Sequence, residues 1–126
     1  MNQTDLRLDR SRDALVARLS GEVDISNAPS YEHRILAAAP PQEVAGLVLD
    51  LSDVSFLDSA GVRLLFSLHS ALTEQGRPMA LVVPATSPVG RVLEIVDIRR
   101  VVWVAPTIDE AFSHFEDPQD PLPRPV

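Results

Sequence analysis

Apolar residues recur along the chain in two periods, and the switch between them marks five strands and four helices. Leu6 and Leu8 alternate with polar neighbours and predict a short strand. Residues 14–19 form an apolar run interrupted by Arg18, a second strand, with residues 9–13 as the hairpin loop between them and Gly21 as a following turn. Ser26-Asn27-Ala28-Pro29 places capping side chains before a proline, a helix start, and Tyr31, Ile35 and Ala38 continue it at helical spacing until Pro40-Pro41.

The run Gly46-Leu47-Val48-Leu49-Asp50-Leu51 is continuously apolar up to Asp50, the pattern of a central strand covered on both faces. After a short loop, a helix over roughly residues 59–75 buries a wide face of Leu64, Leu65, Phe66, Leu68 and Leu72, with Gly76 as its C-terminal cap. Residues 79–83 predict another strand. Ser87-Pro88 opens a third helix carrying Val89, Val92, Leu93 and Val96. Residues 101–104 are the last strand, and Thr107 with Glu110 forms a capping box for a final helix that buries Phe112 and Phe115. Alternating strands and helices with short connections specify an α/β layer fold with a mixed, mostly parallel sheet of four to five strands and about four helices. Beyond residue 116 the proline-rich, acidic segment 117–126 is expected to be a mobile tail.

Composition narrows the function. A chain of 126 residues with 45% hydrophobic content suits one domain with a real core. The net charge of −7 disfavours a direct nucleic-acid binder, which carries a basic face. All 11 basic residues are arginine, which excludes P-loop and Schiff-base lysines, and the absence of cysteine excludes disulfides and thiolate metal sites. Residues 1–13 are polar and do not read as a signal peptide, and no apolar run approaches the roughly 20 residues of a membrane span. No membrane association is expected, and the expected location is the cytoplasm.

The informative stretch is residues 50–62, in which Asp58 precedes a long helix and Ser59 stands at its first position. Two readings of Asp58-Ser59 stand side by side. One is simple helix capping. The other uses the free N–H groups and positive dipole of a helix start, where an anion such as a phosphate is tolerated. A phosphate on Ser59 would add roughly −1.5 to −2 charges and repel a partner without breaking the fold. Gly61, in the first turn of an apolar helix, costs roughly 0.5–1 kcal/mol relative to alanine, and close approach of another backbone or of a partner would explain it.

Other chemistry fits less well. A nucleophilic Ser59 needs a base in reach. His69, ten positions along the same helix, is about 15 Å away at the 1.5 Å rise per residue. His33 and His114 read as surface histidines. Asp50, Asp53 and Asp58 do not make a phospho-receiver, which needs a downstream lysine. Arg99-Arg100 reads as a solvated turn, and Trp103 as packing on a strand.

The string LVLDLSDVSFLDSAGVRLLFSLHSAL, together with the upstream Gly21-Glu22-Val23-Asp24 and Ser26-Asn27-Ala28, resembles the STAS domain family in its branch of bacterial anti-sigma factor antagonists. The likeness covers roughly residues 6–115 and places one STAS-like domain over residues 1–116. Val62 stands where the family more often has leucine. The resemblance implies a non-enzymatic switch without a metal or cofactor. Its partners would be an anti-sigma factor with serine kinase activity and a metal-dependent serine phosphatase. Carried over residue by residue, it makes Ser59 the phosphoacceptor, with Asp24, Ser26, Asn27, Asp58, Ser59, Ala60 and Gly61 forming the partner-binding surface. The unphosphorylated chain would capture the anti-sigma factor and release a sigma factor for transcription. The same resemblance allows an alternative: a scaffold or nucleotide-binding module of a larger signalling or transporter-associated assembly.

Overall fold

In the computed structural model, which describes residues 5–116, five strands join side by side in their sequence order. β1 (Asp5–Ser11) pairs antiparallel with β2 (Ala14–Val23), and β3 (Gly46–Leu57), β4 (Met79–Val82) and β5 (Trp103–Ala105) follow in parallel. The connections are α1 (Ala28–Ala37), α2 (Ser59–Glu74), the short α3 (Gly90–Ile95) with a 3-10 turn at Ile98–Arg100, and a closing helix α4 (Ile108–Glu116).

Strand alternation sends side chains to two cores. Leu15, Ala17 and Leu19 of β2, Leu47, Leu49 and Leu51 of β3 and Leu81 of β4 meet Tyr31 and Ile35 of α1, Leu64, Leu65, Leu68 and Leu72 of α2 and Leu93 of α3. On the opposite face Ala14, Val16, Val48, Ala80 and Val82 meet Ala111 and Phe112 of α4. Leu47, Val48, Leu49 and Leu51 are fully buried, as the continuous apolar run requires.

Several boundaries differ from the sequence reading. The hairpin loop is not residues 9–13: pairing continues to Ser11 opposite Ala14, and Arg12-Asp13 alone makes the turn. Both have positive φ, 53° and 66°, the requirement of a tight primed turn matched to strand twist. β1 is an edge strand, so its polar outer half carried no apolar alternation. β2 does not end at Leu19, and Gly21 is not a turn. Gly21 has φ 80° inside the strand, next to a register shift against β3, which is bulge geometry. β3 does not stop at Leu51 but runs to Leu57. Past Asp50 it has only β2 as neighbour, so Ser52, Asp53, Ser55 and Phe56 are exposed and the apolar pattern lapses.

The end of α2 follows expectation. Gly76, φ 68°, donates to Thr73 O and Arg77 N–H reaches Leu72 O, closing the helix in a Schellman motif. His114 is not on the surface: it is 8% exposed and stacks on Trp103 with ring centroids 4.5 Å apart. The α4 face that carries it covers the β4–β5 edge, which sequence spacing alone did not place. The tail over residues 117–126 lies outside the described residues. Among the described residues no helix is long and apolar enough to cross a membrane.

Candidate functional site

β2 and β3 are adjacent parallel strands, so their C-terminal ends emerge together, with Val23 opposite Leu57. Each end delivers one of the two sequence segments singled out above. The first is the turn formed by residues 24–27. Asp24 Oδ1 accepts hydrogen bonds from the Ser26 N–H at 2.9 Å and from the Ser26 hydroxyl. Those bonds hold the Asp24 carboxyl below its ordinary value of 3.8, the side-chain bond first and the backbone bond second. Asn27 Oδ1 accepts from Asp24 N–H at 3.0 Å while its Nδ2 donates to Glu22 O at 2.9 Å. Ser26 and Asn27 were expected to cap α1. Instead their side chains fasten the loop to itself, and the Asn27 side chain makes no cap bond. Pro29 still sits in the first turn of α1, as read from the sequence.

The second segment is the start of α2. Asp58 Oδ1 accepts from Ala60 N–H at 2.8 Å and from Gly61 N–H at 2.9 Å, so Asp58 is a genuine N-cap. Its other carboxylate oxygen accepts from Ile25 N–H at 3.3 Å, and its own N–H donates to Val23 O at 3.3 Å. One side chain thus caps the helix and ties it to the neighbouring loop. Ser59 is exposed at the first residue of α2, Ala60 is half-buried and Gly61 is buried.

Gly61 has a reason within the chain itself. A Cβ there would lie 2.8 Å from Val23 O and 2.9 Å from Leu57 Cδ2. Only glycine lets α2 start against the carbonyl that receives the Asp58 N–H. The residue therefore sets the spacing of the two segments and offers little surface of its own.

The structure brings Asp24, Ser26, Asn27, Asp58, Ser59 and Ala60 to one end of the sheet. Two neighbours were not read from the sequence. Ile25 is 70% exposed and Phe56 49% exposed, which makes them the large apolar side chains open to solvent on these two segments. A bulky aliphatic residue inside the polar run Asp24-Ile25-Ser26 was the available signal. Phe56 gave none, because an apolar residue in an apolar strand reads as core. Arg63, exposed one helical turn after Ser59, was also passed over.

His69 is on α2 with Ser59, as the spacing required, and its Nε2 lies 3.3 Å from Thr73 Oγ1. Asp50 turns inward, where its Oδ1 accepts from the Ser52 N–H at 2.9 Å and the Ser52 hydroxyl. Among the described residues no group of three or more His, Cys, Asp or Glu side chains could hold a metal ion.

The model of the STAS domain matches residues 5–111. The chain belongs to the STAS domain family. This STAS domain is 25% identical over 111 residues to the anti-sigma F factor antagonist of Paenibacillus polymyxa, spanning 88% of this chain and 94% of that protein. The crystal structure of an anti-sigma factor antagonist from Mycobacterium paratuberculosis superposes with a TM-score of 0.72 at 28% identity, covering 91% of this chain and 96% of that one. The fold is also that of the antagonist SpoIIAA. Its unphosphorylated form matches with a TM-score of 0.70 at 22% identity, over 89% of this chain and 98% of that one. Its phosphorylated form, from Bacillus, matches with a TM-score of 0.64 at 24% identity, over 88% of this chain and 99% of that one.

Proposed function

We propose that this STAS domain is an anti-sigma factor antagonist whose partner is an anti-sigma factor with serine kinase activity. In the unphosphorylated state it binds that partner through the loop–helix surface around Ser59 and so frees a sigma factor for transcription. The kinase moves the γ-phosphoryl group of ATP to Ser59 Oγ, the hydroxyl proton leaves, and ADP is released. A metal-dependent serine phosphatase restores the hydroxyl. The chain itself acts as a binding switch in the cytoplasm and does no catalysis.

The observation that carries this reading is the position of Ser59: exposed at the first residue of α2, beside an acidic loop that Asp58 holds in place. A hydroxyl there is open to an incoming kinase. A phosphate there lies in the face that the partner must cover, where an added charge is costly to desolvate. His69 sits farther along the same helix, so Ser59 has no base on α2 to make it a nucleophile. The relatives named as antagonists, and SpoIIAA in a phosphorylated form, support the same assignment.

The test is transfer. Incubation with the cognate anti-sigma factor and labelled ATP should add one phosphate, located by peptide mapping on Ser59. A phosphate on Ser52, Ser55 or Ser67 instead would overturn the assignment. Steady hydrolysis of ATP by the purified chain, lost in Ser59→Ala, would overturn the non-catalytic reading.

A further inference from the structure

The start of α2 looks like a ready anion site, yet beyond the Ser59 N–H itself the donors of its first turn are taken. Ala60 N–H and Gly61 N–H both donate to Asp58 Oδ1, and Val62 N–H donates to Asp58 O. A phosphoryl group on Ser59 could use them only by displacing the Asp58 carboxylate, another anion. Asp24, ionised by its bonds to Ser26, adds a further negative charge on the adjoining loop. The counter-charge must therefore come from elsewhere.

Arg63 lies four residues after Ser59 in α2, and both are exposed. Residues four apart share a helix face with Cβ atoms roughly 5–6 Å apart. Helical side chains lean towards the N-terminus, so a long side chain at 63 covers the surface over Ser59. An anion four residues before a cation is also the favourable order for the helix dipole. The first turn of α2 holds no acidic residue, and among the described residues Arg63 forms no salt bridge.

Resting on the reading of Ser59 as phosphoacceptor, we infer that Arg63 is the residue that pairs with the phosphate carried on Ser59 Oγ. The guanidinium pairs with the phosphate over the first turn and draws it away from Asp58. Arg63 is a positioning residue for the modified state and idle in the unmodified one.

The test incorporates phosphoserine at position 59 during synthesis and follows the second ionisation of its phosphate by phosphorus NMR across pH. An adjacent cation favours the dianion, so Arg63→Gln should raise the midpoint by roughly half a pH unit. Arg63→Lys, which keeps the charge, should lie with the wild type, and 1 M salt should shrink the difference, because the Debye length falls to about 3 Å. Arg91→Gln, an exposed neutralisation on α3, should leave the midpoint in place. Equal midpoints for wild type and Arg63→Gln would overturn the inference. So would a shift of the same size in Arg91→Gln, which would make the effect one of net charge. Phosphoserine enters here without a kinase, so a null result leaves the assignment of Ser59 standing. Failed transfer by the anti-sigma factor, in turn, leaves this measurement readable.

Discussion

At Ser59 a hydroxyl and a carboxylate differ little in size and greatly in charge. Ser59→Ala removes a side chain that caps nothing, since Asp58 does the capping. The variant should melt with the wild type and bind the anti-sigma factor persistently. Ser59→Asp should fold as well, because a negative charge in the first turn suits the helix dipole. Its affinity should fall at least tenfold, about 1.4 kcal/mol or more. Calorimetric titration of both variants beside their thermal melts decides this. Unchanged affinity in a folded Ser59→Asp would rule out charge as the switch. Asp58 is the more vulnerable neighbour. Asp58→Ala strands two helix N–H groups and the Ile25 N–H together, and chemical denaturation should report a loss of about 1–2 kcal/mol. Asp58→Asn keeps an acceptor oxygen and should recover much of it.

Elements meet at this site under tight geometric limits, and α2 shows the tightest. Gly61→Ala would raise intrinsic helix propensity by up to about 1 kcal/mol, yet it drives a methyl group into Val23 O. The clash should dominate, with a net destabilisation of about 1–3 kcal/mol in urea unfolding. A gain in stability would mean that the β2 end yields easily. The anomaly of this glycine was visible in the sequence, but whether backbone or partner came close was not, because the carbonyl it meets lies on a strand far away in the chain. The helix starts at Pro29 and Asp58 were legible for a simpler reason: caps act over two or three residues. What escaped was the length of β2 and β3. Their outer ends pair only with each other, so half their side chains face water and the apolar rhythm fades. The hairpin was read but not the tightness of its turn, because Arg12-Asp13 makes with two left-handed residues a turn usually marked by glycine. His114 was misread for want of any local cue to its stacking on Trp103.

For the molecule as a whole, acid acts through a few identified groups. Burial lowers the pKa of His69 below its ordinary 6.5, so the unfolded chain binds that proton more readily than the folded one. Stability from this group is full above the unfolded value and falls as the pH drops from there towards the folded value. The melting temperature should therefore decline as the pH falls below about 6.5, and His69→Gln should flatten that decline. Asp24 acts lower on the scale. Its folded pKa lies under 3.8, so its contribution is present above that value and disappears as pH falls through the folded one. An acid melt that His69→Gln leaves unchanged would assign the mid-range loss to some other group.

The edge placement of Trp103 also makes the chain its own optical instrument. It is the lone tryptophan, on β5 in register with Ala80 of β4, which lies opposite Val48 of β3. Ser59 lies beyond the far end of β3, about 30 Å further on at the usual rise per residue. Trp103 sits half-buried against the His114 ring on the α4 side of the sheet. Its emission should shift to the red when the domain unfolds and stay constant when a tryptophan-free partner covers Ser59. A single fluorescence trace would then separate lost structure from lost affinity in every variant above. A change in emission on saturation with the anti-sigma factor would instead reveal that docking at one end of the sheet is felt at the other.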